Sequence, residues 1–177
     1  MIIWLIGMSG AGKTTVGTIL AQRLRTTRPG LVYLDGDLLR EVWGDTPGHD
    51  VSGRKLNAHR LSHLCALLDA QGLDVVAAVL SIFPSWQAWN RVTFTDYVEV
   101  FLDVPMSVLR ARDTKGLYAA AAAGNLTDVV GVDIEFPRPP APDLTLDSSG
   151  DNGTPVQLVD EILAYLANRE KHPVERG

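Results

Sequence analysis

"GMSGAGKTT", residues 7–15, follows the apolar run "MIIWLI" at the start of the chain. Gly7, four intervening residues, Gly12, Lys13 and Thr14 make up the eight-residue phosphate-binding loop pattern. Its glycines let backbone N–H groups turn inward toward phosphate oxygens. The helix that opens behind the loop adds its partial positive charge. A buried strand at 2–7 is expected before the loop and a helix at 13–26 after it. That order places ligands at the carboxyl ends of the strands of an α/β sheet.

Four further apolar runs read as strands: "LVYLDG" (31–36), "LDVVAAVLS" (73–81), "VEVFLDV" (98–104) and "LTLD" (144–147). Most are continuous rather than alternating, as strands covered on both faces of a parallel sheet require. Helices are expected at 54–71, where Leu61, Leu64, Cys65 and Leu68 share a face before Gly72, and at 156–168. The alternation predicts an α/β fold of P-loop NTPase type. Its sheet is doubly wound, mostly parallel and five-stranded, with helices on both faces and a short lid. "EFPRPPAPD" (135–143) reads as an extended surface segment, and "AAAAAG" (119–124) as a short exposed helix ended by Gly124. Residues 1–171 are expected to form one domain, and 172–177 a disordered tail.

The length of 177 residues suits one α/β domain with a real core. Lys and Arg number 16 against 21 Asp and Glu, a net charge of −5, and no basic stripe carries interleaved aromatics. This excludes a long nucleic acid as partner and leaves room for a small anion in a local basic pocket. Cys65 is the only cysteine, so an intrachain disulfide is impossible and a reducing cytoplasm is the expected location. The apolar start is too short to span a bilayer and lacks the basic onset and cleavage site of a signal peptide, so no membrane partner is expected.

Lys13 is expected to reach the β and γ phosphates, and the Thr14 hydroxyl to hold Mg²⁺. In "YLDGDLLR" (33–40), Asp35 and Asp37 close the second predicted strand. One carboxylate there can hold the magnesium shell while the other takes a proton from an acceptor hydroxyl. Gly36 reads as a sharp turn between them. An isolated Asp-Gly-Asp also reads as a polar turn whose aspartate caps a helix.

The chain resembles the adenylylsulfate (APS) kinase family. The resemblance runs through "GMSGAGKTT", "LDGDLLR", "GRKLNAHR" (53–60), "FLDVPMSVLRARDTKGLY" (101–118) and "GVDIEFPRPPAPDLTL" (131–146), in order and over nearly the whole length. It implies a P-loop kinase that uses ATP and Mg²⁺ to phosphorylate the ribose 3′-hydroxyl of a nucleotide with a mixed anhydride at its 5′ end. The family pattern assigns ATP to Gly7, Ser9, Gly10, Ala11, Gly12, Lys13, Thr14 and Thr15, with Arg112 stacked on the adenine. It makes Asp37 the base, supported by Lys13 and Asp35, and gives the metal to Thr14 and Asp35. The acceptor falls to Arg40, Arg54 and Asn57, to Leu80, Ser81 and Arg91, and to Lys115 from a lid starting at "TKGLYAAAAAG". Read from the residues alone, Arg54 and Arg60 are more simply the exposed face of a helix, and Arg112–Asp113 a surface pair.

The resemblance breaks on the acceptor side. APS kinases clamp adenine between two phenylalanines; here "GHDVSGR" has His49 at the first place and "VVGVD" has Val129 at the second. In "LSIFPSWQAWNR", Ile82 replaces the family proline, Gln87 stands at the first arginine position, and Arg91 keeps the second. Losing both aromatic faces removes roughly 1–3 kcal/mol of stacking per base contact. Trp86 and Trp89 read as packing, or as a partial replacement. The pattern is similar to the capsule-associated APS kinase-like branch, of cytidine diphosphoramidate kinase type.

The expected activity is therefore an APS kinase-type phosphotransfer to a 3′-hydroxyl, with a slight preference for a non-APS acceptor such as cytidine diphosphoramidate. A true APS kinase of sulfate assimilation and a catalytically silent nucleotide-binding module stand as alternatives, as does a kinase acting on a sugar acid. The expected partners are a small nucleotide acceptor and a second copy of the chain in a homodimer.

Overall fold

The five residues of β1 (Ile2–Ile6) are all buried, because helices cover both faces of the sheet it centres. In this computed structural model, which describes residues 1–44, 48–113, 115–150 and 153–171, Ile3 and Leu5 point into one apolar cluster and Ile2, Trp4 and Ile6 into another. The continuous hydrophobic run is thus two alternating patterns overlaid. The other strands are β2 (Val32–Asp35), β3 (Val75–Val79), β4 (Tyr97–Asp103) and β5 (Leu144–Asp147). Their order is β2-β3-β1-β4-β5, and every pairing is parallel.

One face is covered by α1 (Lys13–Leu24) and α7 (Pro155–Lys171), which bring Val16, Leu20, Val159 and Ile162 to the cluster holding Ile3 and Leu5. The other face carries α3 (Val51–Ala70) and α4 (Pro84–Thr93), with Leu61, Cys65 and the flank of Trp89. This is the doubly wound P-loop architecture, with β1 ending at the crevice where helices diverge to opposite faces. Among the described residues no helix is long and apolar enough to cross a membrane. The tail at 172–177 lies outside the described residues.

The elements depart from expectation at several ends. α3 begins at Val51 because the Asp50 side chain accepts the Gly53 N–H at 2.8 Å and caps it. β3 stops at Val79, two residues before Ser81, whose φ of 51° cannot continue a strand. α5 (Met106–Arg112) and α2 (Gly36–Val42) are too short to reveal themselves by periodicity. α2 also corrects the reading of Gly36 as a sharp turn. The glycine is the first helical residue, capped by Asp35, and a Cβ there would sit 3.4 Å from the Ala78 carbonyl oxygen. α6 (Leu117–Ala122) occupies the alanine-rich stretch, with Gly124 left-handed just beyond it.

Candidate active site

The loop between β1 and α1 is shaped by what its glycines lack. A Cβ on Gly7 would meet Ala11 at 3.0 Å and the Leu102 carbonyl at 3.1 Å, while Gly10 and Gly12 take φ values of 82° and 88°. No side chain caps the start of α1, which leaves its first N–H groups directed at the cradle. Lys13 is half-buried and donates to the Met8 carbonyl at 2.8 Å. Burial lowers its pKa from 10.5 to about 8, against the attraction of Asp37 and Asp35. A desolvated ammonium inside a ring of amides is a strong receptor for phosphate.

Thr14 donates its hydroxyl to the Asp35 carboxylate at 2.7 Å. Tyr33 donates to the same carboxylate at 3.2 Å, and Asp35 accepts the Asp37 N–H at 2.9 Å through its other oxygen. Asp35 therefore both caps α2 and joins the cradle to the next strand. Tyr33 was not legible as a site residue beyond its position two before Asp35, on the same side of β2.

The first turn of α2 and the first two turns of α3 bring Asp37, Arg40, Arg54, Asn57 and His49 together. Asp37 is mostly exposed and pairs with Lys115 of the lid at 2.5 Å. Partial burial would raise its carboxyl, but the Lys115 hydrogen bond and the charges of Lys115, Lys13 and Arg40 outweigh it and hold the pKa below the usual value. With its amide turned so that the oxygen faces the guanidinium, the orientation the donors around it require, Asn57 accepts from Arg40 at 2.7 Å. Arg54 donates to the backbone oxygen of Asp128 at 2.7 Å, a partner no sequence signal announced. Burial and the charges of Arg40 and Arg54 push the His49 pKa down. Two converging guanidinium groups beside a depressed imidazole describe an anion-binding wall.

Several expected residues lie elsewhere or are engaged otherwise. Ser81 follows Leu80 at the end of β3 and is held by Trp4 Nε1 at 3.3 Å and by Gln87 Nε2, which reaches its carbonyl at 3.1 Å. Gln87 thus shapes the turn rather than leaving an arginine's gap. Arg91 is directed away from Asp37: it binds the Asp143 carboxylate at 3.2 Å and the Ala141 carbonyl at 3.0 Å, and lies over the Tyr97 ring. Arg112 sits against the outside of the phosphate loop, donating to the Gly10 carbonyl at 3.4 Å and to the Ser149 carbonyl. Val129 is buried in the apolar cluster with Leu109 and Tyr118, so it does not wall an open site. Trp86 and Trp89 pack with His59 and His63 on the outer surface of α3 and α4. A cavity of about 710 Å³ opens between Met8 and the 131–138 loop, floored by Phe101 and Phe136, whose rings stack at 6.0 Å.

A family model described as adenylylsulphate kinase matches residues 1–147. The chain is 39% identical over 166 residues to the cytidine diphosphoramidate kinase of Campylobacter jejuni, covering 94% of this chain and 96% of that protein. It is 37% identical over 169 residues to an adenylyl-sulfate kinase of Paraburkholderia xenovorans, covering 93% and 92%. Among solved structures, the Mycobacterium tuberculosis APS kinase in complex with AMPPNP and APS superposes with a TM-score of 0.85 at 32% identity, covering 94% of this chain and 96% of that one.

Proposed function

Because the chain belongs to the adenylylsulphate kinase family, we propose that it moves the γ-phosphoryl group of ATP to the ribose 3′-hydroxyl of a 5′-activated nucleotide, with a cytidine diphosphoramidate-type acceptor ahead of adenylylsulfate. The observation that carries this reading is the Asp37 carboxylate, held ionised by Lys115 and by the field of Lys13 and Arg40. An ionised carboxylate at the mouth of a phosphate cradle takes the proton of the attacking hydroxyl as the bond to phosphorus forms.

The rest of the chemistry is positioning and charge. Lys13 and the loop amides hold the transferring group while its three oxygens gain negative charge. The Thr14 hydroxyl and Asp35 carboxylate, 2.7 Å apart, are hard oxygen ligands that would suit a magnesium ion. Held by Thr14 and Asp35, such an ion would supply positive charge against the phosphates. Tyr33 keeps the Asp35 carboxylate turned toward Thr14. Arg40 and Arg54 hold the anionic 5′ group of the acceptor, beside the Lys115–Asp37 pair.

The preference for a cytidine acceptor rests on the base side. His49 stands alone, since Val129 is buried and offers no second ring. The likeness to the Campylobacter kinase supports the same choice. Adenylylsulfate is the second reading, favoured by the fold-level match to a structure holding APS. Transfer is tested with γ-labelled ATP, with and without acceptor. The expected result is label on the acceptor's 3′ oxygen and little ATP turnover without acceptor. ATP binding with no labelled nucleotide from any acceptor would leave a silent nucleotide-binding module instead.

A further inference from the structure

Four consecutive carbonyls of the phosphate loop are each held by a side chain, the first by Lys13 within the cradle and the other three from behind. Met8 O accepts from Lys13 Nζ at 2.8 Å, Ser9 O from the Tyr118 hydroxyl at 2.9 Å, Gly10 O from Arg112 Nη1 at 3.4 Å, and Ala11 O from the Ser148 hydroxyl at 2.9 Å. In a planar trans peptide the carbonyl of one residue points opposite to the N–H of the next. Holding Ser9 O outward therefore aims the Gly10 amide inward, and holding Ala11 O outward aims the Gly12 amide inward. Both amides belong to glycines at positive φ, residues with the most freedom to turn away.

Two of the four fasteners come from the end of α5 and the lid. Tyr118 is buried, and burial together with the nearby Asp113 raises its pKa, so the hydroxyl remains a donor. The Asp113 carboxylate accepts the N–H groups of Tyr118 and Ala119, at 3.2 and 2.8 Å, and so fixes the start of α6. Three residues before Tyr118, Lys115 reaches Asp37. One short segment thus touches the back of the cradle with one end and the Asp37 carboxylate with the other.

We propose that the Tyr118 hydroxyl is a positioning group for ATP: by fastening the Ser9 carbonyl it sets the Gly10 amide for the phosphates and ties the cradle to the lid. This rests on the reading of residues 7–14 as the ATP phosphate site, but on no particular acceptor. Ser148 does the same for the next peptide but one, from the end of β5.

The test uses Tyr118→Phe, which keeps the buried ring and removes one oxygen. Calorimetry would give the dissociation constants of ADP and AMP, alongside the melting temperature. One neutral hydrogen bond lost from the cradle predicts an ADP constant weaker by about three- to tenfold. AMP, which has no β phosphate for the loop, should change by less than about twofold, and kcat/KM for ATP should fall in step with ADP affinity. Ser148→Ala should weaken ADP in the same phosphate-selective way and decides the matter if Tyr118→Phe folds poorly. A lower melting temperature with unchanged ADP affinity, or an equal loss for ADP and AMP, would reduce Tyr118 to a packing residue. A failure to phosphorylate any acceptor would leave the ADP-to-AMP comparison intact.

Discussion

The phosphate cradle and the acceptor wall meet at the carboxyl end of the same sheet, and they are secured very differently. The cradle lies between a fully buried strand and a helix rooted in the core through Val16 and Leu20, and side chains fasten its carbonyls from behind. The acceptor wall draws Asp37 and Arg40 from α2, which has no buried residue, His49 from the exposed approach to α3, and only Arg54 and Asn57 from the first turns of the core-packed α3. Its groups touch one another through ion pairs and long side chains rather than through the core. The difference follows from the ligands. A triphosphate has one geometry, best met by backbone amides that cannot drift. An acceptor base is read by side chains from separate segments, which can be exchanged without disturbing the cradle.

The sharpest way to break this contrast is at Lys13. Lys13→Ala removes the ammonium from the cradle, and turnover should fall by about two to three orders of magnitude. Steady-state rates within a few-fold of the parent would refute the cradle's role. Asp37→Asn acts on the other half: turnover should fall by roughly two orders of magnitude while MgATP affinity, measured by calorimetry, is retained. A collapse of ATP affinity would move Asp37 into the metal shell and leave Asp35 as the base.

A pH profile separates the halves next. With the free-state pKa of Lys13 near 8, the ammonium is intact below that pH and lost above it. The value of kcat/KM for ATP should therefore decline as pH rises through about 8. Lys13→Arg, with its far higher pKa, should carry less activity but no such limb. Asp37 contributes no limb near neutrality, because its pKa is held below the ordinary carboxylate value. A profile flat from pH 7 to about 9.5 would contradict the desolvation of Lys13.

The smallest effects concern the two places where family phenylalanines are missing. Val129 lies in the core, so Val129→Phe overpacks it and should lower stability by about 1–3 kcal/mol in chemical denaturation. His49 is exposed, so His49→Phe should leave stability nearly unchanged and move only acceptor selectivity. Equal stability for both variants would mean that Val129 borders an open site after all.

The cradle was legible from the sequence because all its determinants are local: Gly7, Gly10, Gly12, Lys13 and Thr14 lie within eight residues of one another. The three central strands were legible for a similar reason, since burial on both faces of β1, β3 and β4 leaves continuous apolar runs, while the edge strands β2 and β5 are only partly covered. What could not be read were contacts made by residues remote in the chain. Tyr118 and Ser148 reach the loop across 109 and 137 residues, and Arg54 reaches Asp128 across 74. Arg91 illustrates the converse. Its place in a familiar pattern suggested the acceptor, yet Glu99 and Asp143 beside it on and next to β4 draw it to the far side. α2 was legible only through the alternative in which an aspartate of Asp-Gly-Asp caps a helix, because seven residues give too little periodicity and the capping carboxylate is also a site residue.

The central claim is that an unchanged phosphate cradle serves an acceptor wall re-cut for a cytidine nucleotide. It is tested most directly by kcat/KM for cytidine diphosphoramidate and for adenylylsulfate, measured on the same preparation at saturating MgATP. The account predicts the higher value for the cytidine acceptor, and a shift toward adenylylsulfate worth about 1–3 kcal/mol in His49→Phe. Efficient turnover of adenylylsulfate with none of the cytidine acceptor would contradict it.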